Sequence, residues 1–173
     1  MYIKIFICLS FMISTIAIGV MKAEELNKRV QCLLELKRLM ILLQGEFRVH
    51  RGTLSEAFVY TAGRVDAPFS EFLKETAKGL DDRSFGSFSD IWEEVTEQLV
   101  ARGNYFKNDQ YLLEQLGRGL GDLDLTMQME NINLAICQTE EAIKSAKEEK
   151  NSKGKLYRTM GVTAGAFLSL LII

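Results

Sequence analysis

Both ends of the chain are apolar runs that contain no charged residue. Residues 5–21 form a run of roughly 17 residues, and residues 159–173 form a second of about 15. As helices these runs would measure ~26 Å and ~23 Å, close to the ~30 Å hydrocarbon core of a bilayer once flanking aromatic and basic residues extend them. The sequence therefore predicts a transmembrane helix at each end of the chain.

Three segments follow from this pattern. We predict a transmembrane helix over residues 1–21, a soluble helical domain over 22–155 and a second transmembrane helix over 156–173. The first run has an alternative interpretation as a cleaved signal peptide. Only Lys4 precedes it and no small-x-small cleavage site follows it, so we favour its retention as an anchor.

Basic residues flank the central domain on the inner side of both anchors. They are Lys22, Lys28 and Arg29 after the first, and Lys150, Lys153, Lys155 and Arg158 before the second. On the outer side of the two anchors, toward the chain termini, the only basic side chain is Lys4. The positive-inside rule then predicts a cytoplasmic central domain with both termini across the membrane.

The central domain shows helical periodicity and no strand-like alternation. One apolar face with steps of three and four consists of Leu26, Val30, Leu33, Leu36, Met40, Leu43 and Phe47. Because nothing between Met21 and Glu25 breaks a helix, the first anchor is expected to continue into this segment. A second such face, in a long helix near the C-terminus, consists of Leu125, Met129, Ile132, Ile136, Ile143 and Ala146.

Helix start and stop signals divide the region between these two long segments. A Thr53–Glu56 capping box predicts a helix over 54–63, and Pro68 and Gly79 bound a predicted helix over 69–78. A cap at Ser87 or Ser89 opens a predicted helix through 91–100 that ends at Gly103. Asn108 or Asp109 opens one more, which runs through Leu116. Residues 81–86 read as a loop and residues 151–154 as a short hinge before the second anchor. The predicted fold is all-α, an antiparallel bundle of about five or six helices flanked by the two transmembrane helices.

Three glycines within five positions, Gly117, Gly119 and Gly121, form the most unusual local pattern. Neither a phosphate loop nor a dinucleotide fingerprint has this spacing. If the helix continues, Gly117 and Gly121 share one face and permit close approach of another helix. If it breaks, Asp122 or Asp124 caps the next helix. Both alternatives are structural.

Residues that could carry catalysis are sparse. His50 is the only histidine, and Cys8, Cys32 and Cys137 are too far apart for a zinc site, so buried, inert thiols are expected. Carboxylate pairs such as those at 93–94 and 140–141 suit solvated helix faces. We predict that the protein is not an enzyme and has no cofactor, metal, nucleic acid or small-molecule substrate.

Aromatic residues cluster in the middle of the chain. They are Trp92, Phe69, Phe72, Phe85 and Phe88. A core position is the favoured interpretation for this set, with a surface that contacts a partner protein as the alternative.

The order of these features resembles the stage III sporulation protein AB family of endospore-forming bacteria, over essentially the whole chain. The motifs that carry the resemblance are Leu116-Gly117…Leu120-Gly121-x-x-Asp124-x-x-x-Gln128, Lys155-Leu156-Tyr157-x-x-Met160-Gly161-x-x-x-Gly165-x-x-Leu168, and Arg48-x-x-x-Gly52-Thr53-Leu54-Ser55-Glu56-Ala57 followed by Pro68 and Ile91-Trp92-Glu93-Glu94. Met160 replaces the leucine that is usual in the family.

This resemblance implies a function that the residue pattern alone does not give. The family is similar to the inner-membrane platform proteins of type II secretion, which implies a membrane docking component of a sporulation-specific, secretion-like channel complex. It implies a location in the mother-cell membrane that faces the forespore. The implied partners are the cytoplasmic ATPase, stage III sporulation protein AA, and other membrane components of the complex.

An oligomeric pore-type protein, regulated by its helical domain, is the alternative function. Gly161 and Gly165 form a small-xxx-small pattern that promotes helix association in a membrane. Against it, the uncharged cores of both anchors contain no ionisable residue that would line a water-filled path.

Overall fold

The computed structural model describes residues 2–49, 52–82, 86–121 and 124–172. Within these ranges the chain forms α-helices, one 3-10 turn at Asn104–Asp109, and no strand. The helices are α1 Tyr2–Val49, α2 Leu54–Ala62, α3 Phe69–Asp81, α4 Phe88–Arg102, α5 Gln110–Gly121 and α6 Leu125–Ile172. The prediction of an all-α fold is confirmed.

The chain divides into two compact units. The larger unit consists of residues 31–143, and the smaller unit consists of residues 1–30 together with 144–173. The helices α1 and α6 each contribute to both units. This division by contacts does not test the predicted segment boundaries at residues 21 and 155, which stay predictions.

Neighbouring helices of the larger unit run antiparallel, as their contacts show. Ser55 at the start of α2 donates to the carbonyl oxygen of Ala77, and Ser70 at the start of α3 donates to that of Ala62. The same reversal relates α3 to α4 and α4 to α5. On the long helices, Lys37 pairs with Glu140 and Gln44 with Asn133, so α1 and α6 are antiparallel within this unit. These contacts agree with the predicted antiparallel bundle.

The apolar face predicted on α1 packs into the core. Buried members of this face are Val30, Leu33, Leu36, Met40, Leu43 and Phe47. The helix continues from Tyr2 through Val49 without interruption, which confirms the expected continuity of the first apolar run with the following segment. On α6, Ile132, Ile143 and Ala146 are likewise buried.

Two capping boxes fix where α2 and α4 begin. Thr53 accepts from the Glu56 backbone N–H while the Glu56 carboxylate accepts from the Thr53 N–H, and Ser87 and Asp90 make the same reciprocal pair. The hydrogen bonds from the Ser87 backbone and side chain lower the pKa of Asp90. These boxes satisfy backbone donors that a helix N-terminus otherwise leaves unpaired, and Ser87 rather than Ser89 is the cap.

Two local predictions are wrong. Gly79 does not end α3, which continues to Asp81; instead Gly79 faces α4, where an added Cβ would lie 2.7 Å from Ile91 Cγ2. Residues 151–154 form no hinge, since they lie inside α6. The helix through Leu116 begins at Gln110, directly after Asp109 as predicted, and the 3-10 turn leads into it.

In the smaller unit a charged cluster joins α1 to α6. Arg29 pairs with Glu149 at 2.6 Å, and Glu149 also pairs with Lys153 at 2.7 Å. The Lys153 hydrogen bond, followed by the charges of Lys153 and Arg29, lowers the pKa of Glu149 against the opposing effect of burial. The pKa of this carboxylate therefore lies below its ordinary value.

No helical segment among the described residues is both long enough and apolar enough to cross a membrane. The side chains of 1–9, 11–12, 161–162 and 164–173, which make up much of the two predicted spans, lie outside the described set.

Candidate interaction site

Trp92 and Gly117, both singled out from the sequence, meet where α4 packs on α5. A Cβ added at Gly117 would overlap the Trp92 indole ring. The indole Nε1 donates to the carbonyl oxygen of Leu113 at 2.8 Å, within a helical turn of Gly117. The missing side chain at Gly117 therefore gives the indole its place against the α5 backbone.

Three phenylalanine rings surround this indole, and two of them, Phe72 and Phe88, belong to the aromatic set predicted from the sequence. Phe58, Phe72 and Phe88 lie with ring centroids 5.8, 4.9 and 5.5 Å from that of Trp92. Trp92, Phe69 and Phe72 are buried, which confirms the core interpretation for them. Phe85 lies outside the described residues.

The other two glycines of the cluster bring α5 close to two different helices. A Cβ at Gly121 would lie 3.1 Å from Phe88 Cδ1 on α4, on the same face as Gly117. A Cβ at Gly119 would lie 2.7 Å from the Cβ of Asn131 on α6. The cluster thus lets α5 pack tightly between α4 and α6.

Asp124 and Gln128 support the junction between α5 and α6. The Asp124 carboxylate accepts from the Met127 N–H at 2.9 Å, as an N-cap does. The Gln128 Nε2 donates to the carbonyl oxygen of Leu120 at 2.9 Å, which satisfies a backbone acceptor near the end of α5. Together with the glycines, these residues form a structural junction between α5 and α6.

Several sequence candidates cannot be placed. Gly161 and Gly165 lie in α6, but their surroundings belong to the part that the structure does not describe. His50 and Asp122 lie outside the described residues, and Cys8 lies in α1, where its side chain is outside the described set. Their predicted roles stay predictions.

The thiols differ in environment. Cys32 is buried, and burial, followed by the charges of Asp109 and Glu35, raises its pKa to about 12. Cys137 is exposed on α6, so the expectation that it is buried is wrong. Over the described ranges, no group of three or more His, Cys, Asp or Glu residues could hold a metal ion.

Exposed apolar side chains form a stripe on α1 and another on α6 within the larger unit. Leu34 and Ile41 are seven residues apart on α1, and Met127 and Leu134 have the same spacing on α6, so each pair lies on one helix face. Ile41 and Leu134 are 48% and 50% exposed. We call these four residues the paired stripes.

Two polar pairs, which we call the ladder, join α1 to α6 in the same unit. Lys37 contacts Glu140 at 2.6 Å, and Gln44 donates to Asn133 at 2.5 Å. Exposed apolar side chains with polar pairs nearby are found at many protein-protein contact sites. The paired stripes and the ladder are therefore the strongest candidate for an interaction site.

The sequence contains a signal for this surface outside its motifs. Leu34 and Ile41 are among the apolar residues of α1 that lie off its core face, and Leu134 is such a residue on α6. A periodic helix needs none of them to cover its core, so each requires a separate explanation.

Comparison with known proteins gives one consistent result. The family model for Stage III sporulation protein AB matches residues 4–173. Stage III sporulation protein AB of Bacillus subtilis (strain 168) is 24% identical over 165 residues, which cover 93% of this chain and 94% of that protein. A solved structure of a stage III sporulation protein AB has a TM-score of 0.65 at 22% identity and covers 72% of this chain and 98% of its own, so the two share a fold.

Proposed function

Since the chain belongs to the stage III sporulation protein AB family, we propose that it is a non-enzymatic platform of the sporulating cell. In this role its two apolar ends anchor it in the mother-cell membrane that faces the forespore. The helical domain lies in the cytoplasm and docks a cytoplasmic ATPase of the stage III sporulation protein AA type beside the membrane components of a secretion-like complex.

One observation carries the proposal. The paired stripes lie on α1 and α6, and these two helices are also the ones that continue to Tyr2 and Ile172 in the predicted anchors. A partner bound to the stripes would therefore contact the helices that lead to the membrane. This arrangement suits a component that transmits motion of an ATPase to membrane-embedded parts.

The junction of α4, α5 and α6 supports the same role by holding the bundle in one arrangement. Close packing through the glycines and the indole hydrogen bond of Trp92 restricts the relative positions of these helices. A docking surface gains affinity when it is preorganised in this way. The junction is thus assigned to structure and the paired stripes to binding.

The test is co-purification of the full-length protein with the cognate ATPase. We expect the double variant Ile41→Asp/Leu134→Asp to reduce capture at least about tenfold, because it places charge in an apolar contact. Val59→Asp is the matched control: Val59 is 56% exposed and lies on α2. Circular dichroism of each variant checks that the fold is kept.

Two results would contradict the proposal. Equal ATPase capture by the double variant and the wild type would exclude the paired stripes as the docking surface. Loss of the central domain to protease added outside intact cells would exclude a cytoplasmic domain. Conductance of liposomes that contain the pure protein alone would instead favour the pore-type alternative.

A further inference from the structure

The smaller unit contains a cavity between α1 and α6 that none of the contacts above explains. Its volume is about 230 Å³, and its lining residues are Ala23, Asn27, Lys150, Asn151, Gly154 and Lys155. Ala23 and Asn27 are one turn apart on α1, and the other four follow helical steps on α6. The two helices thus present one face each to the cavity.

Small residues at the helix contact create this space. Ala23 is 3% exposed, and Gly154 is also buried. A Cβ added at Gly154 would meet no atom within 4 Å. Gly154 is therefore not required for close helix packing, in contrast to Gly117, and its missing side chain leaves the cavity open.

The lining is rich in hydrogen-bond donors and has no acid. Lys150 and Lys155 supply ammonium groups and Asn27 and Asn151 supply amides, while no carboxylate lines the cavity. Over the described residues neither lysine makes an ion pair. The neighbouring carboxylate of Glu149 is already paired with Arg29 and Lys153. An anion with several oxygen acceptors fits this set of groups.

We propose that this cavity binds the phosphate headgroup of an anionic glycerophospholipid. The inference rests on the proposed membrane anchoring, because Lys155 directly precedes the predicted span 156–173 and Ala23 lies two residues after the span 1–21. Headgroup phosphates lie at that level of a bilayer, and juxtamembrane lysines are attracted to them. The bound lipid would fix the register of α1 against α6 beside the membrane.

The experiment counts phosphatidylglycerol and phosphatidylcholine retained by the detergent-purified full-length protein, using native mass spectrometry. Lys150→Gln/Lys155→Gln removes the two cavity charges. Lys144→Gln/Lys147→Gln is the matched control, because it removes the same charge from exposed positions of the same helix. We expect the cavity variant to lose at least about tenfold in affinity for phosphatidylglycerol, and the control to lose less than about threefold.

A second variant separates the cavity from its charge. Gly154→Leu fills the space without altering a lysine, and its Cβ would meet no atom within 4 Å. We expect it to weaken phosphatidylglycerol retention as strongly as the double variant does. Circular dichroism and thermal unfolding of each variant identify any that fails to fold.

Distinct outcomes overturn this inference and the proposed function. Equal loss in both lysine pairs would show diffuse charge attraction and no site, and unchanged retention in the cavity variants would exclude the cavity. Displacement of the lipid by inorganic phosphate alone would assign the cavity to free phosphate. Carbonate extraction tests the membrane anchoring separately. Release of the wild-type protein from membranes would contradict the proposed membrane location.

Discussion

The substitution Gly117→Ala tests the α4–α5 junction with a single methyl group. The new Cβ would overlap the Trp92 indole, which is 3% exposed and enclosed by Phe58, Phe72 and Phe88. The indole cannot move without disturbing those rings. It would also lose the 2.8 Å hydrogen bond from its Nε1 to Leu113.

Three effects determine how much Gly117→Ala changes the free energy of unfolding. Overpacking a dense core costs about 1–3 kcal/mol, and a buried donor left without its acceptor costs about 1–3 kcal/mol. Replacing glycine by alanine inside a helix returns about 1 kcal/mol. Because movement of the indole relieves part of the overlap, we expect a net loss of about 2–4 kcal/mol in the free energy of unfolding. For a chain of this size that lowers Tm by roughly 5–15 °C.

The assay is urea and thermal unfolding of the full-length protein, followed by circular dichroism and by the fluorescence of Trp92, the only tryptophan of the chain. Gly45→Ala is the matched control. Gly45 is exposed on α1 in the same unit, and a Cβ there would meet nothing within 4 Å. The control should therefore gain about 0.5–1 kcal/mol from helix propensity alone.

The test is the difference in the free energy of unfolding between Gly117→Ala and Gly45→Ala. The structure predicts opposite signs for one chemical change at two helical glycines. If Gly117→Ala proved as stable as Gly45→Ala, the indole would not rest against the α5 backbone, and the account of the glycine cluster would be wrong.

Three further predictions concern single groups. Asp124→Ala should lower the free energy of unfolding by about 1 kcal/mol through loss of the α6 cap, as measured by urea denaturation against Asp124→Asn, which keeps an acceptor. In a Cys8→Ser background, a thiol reagent should label Cys137 in the native protein and label Cys32 only on unfolding, because Cys32 is buried with a pKa of about 12; rapid labelling of both would contradict the packing of α1. The pKa of Glu149 is lowered in the folded protein, so the ionised carboxylate stabilises the fold above its ordinary pKa near 4.5, and this stabilisation is lost as the pH falls through the pKa of the folded state. The difference in the free energy of unfolding between wild type and Glu149→Gln should therefore shrink between pH 7 and pH 3.

Local signals in the sequence were sufficient for much of the fold. The capping box of Thr53 and Glu56 predicts the start of α2 because the side chain and backbone groups involved lie within one turn. The core face of α1 follows from steps of three and four, since a helix has one periodicity and one buried side. Neither inference needs knowledge of a distant residue.

The wrong predictions depend on distant residues. Gly79 carries the same local signal as a helix terminator, but Ile91 of α4 packs against it and the helix continues. At 151–154 the helix continues through a sequence that looks like a hinge, and Arg29 of α1 pairs with Glu149 one turn before Lys153. Cys137 was expected in the core, yet its position on α6 faces away from it. Only the tertiary arrangement separates these cases.

The glycines show how one residue type serves opposite purposes in this chain. The Trp92 indole fills the space that a side chain at position 117 would need, so packing requires glycine there. Gly154 instead faces empty space. A glycine that packing does not need still costs about 1 kcal/mol in a helix relative to alanine. Binding of a ligand in the space beside Lys150 and Lys155 would explain why the helix has glycine at position 154 despite this penalty. Gly154→Ala should therefore raise stability, while Gly154→Leu should weaken lipid binding; a stable Gly154→Leu variant with full lipid retention would remove that reason.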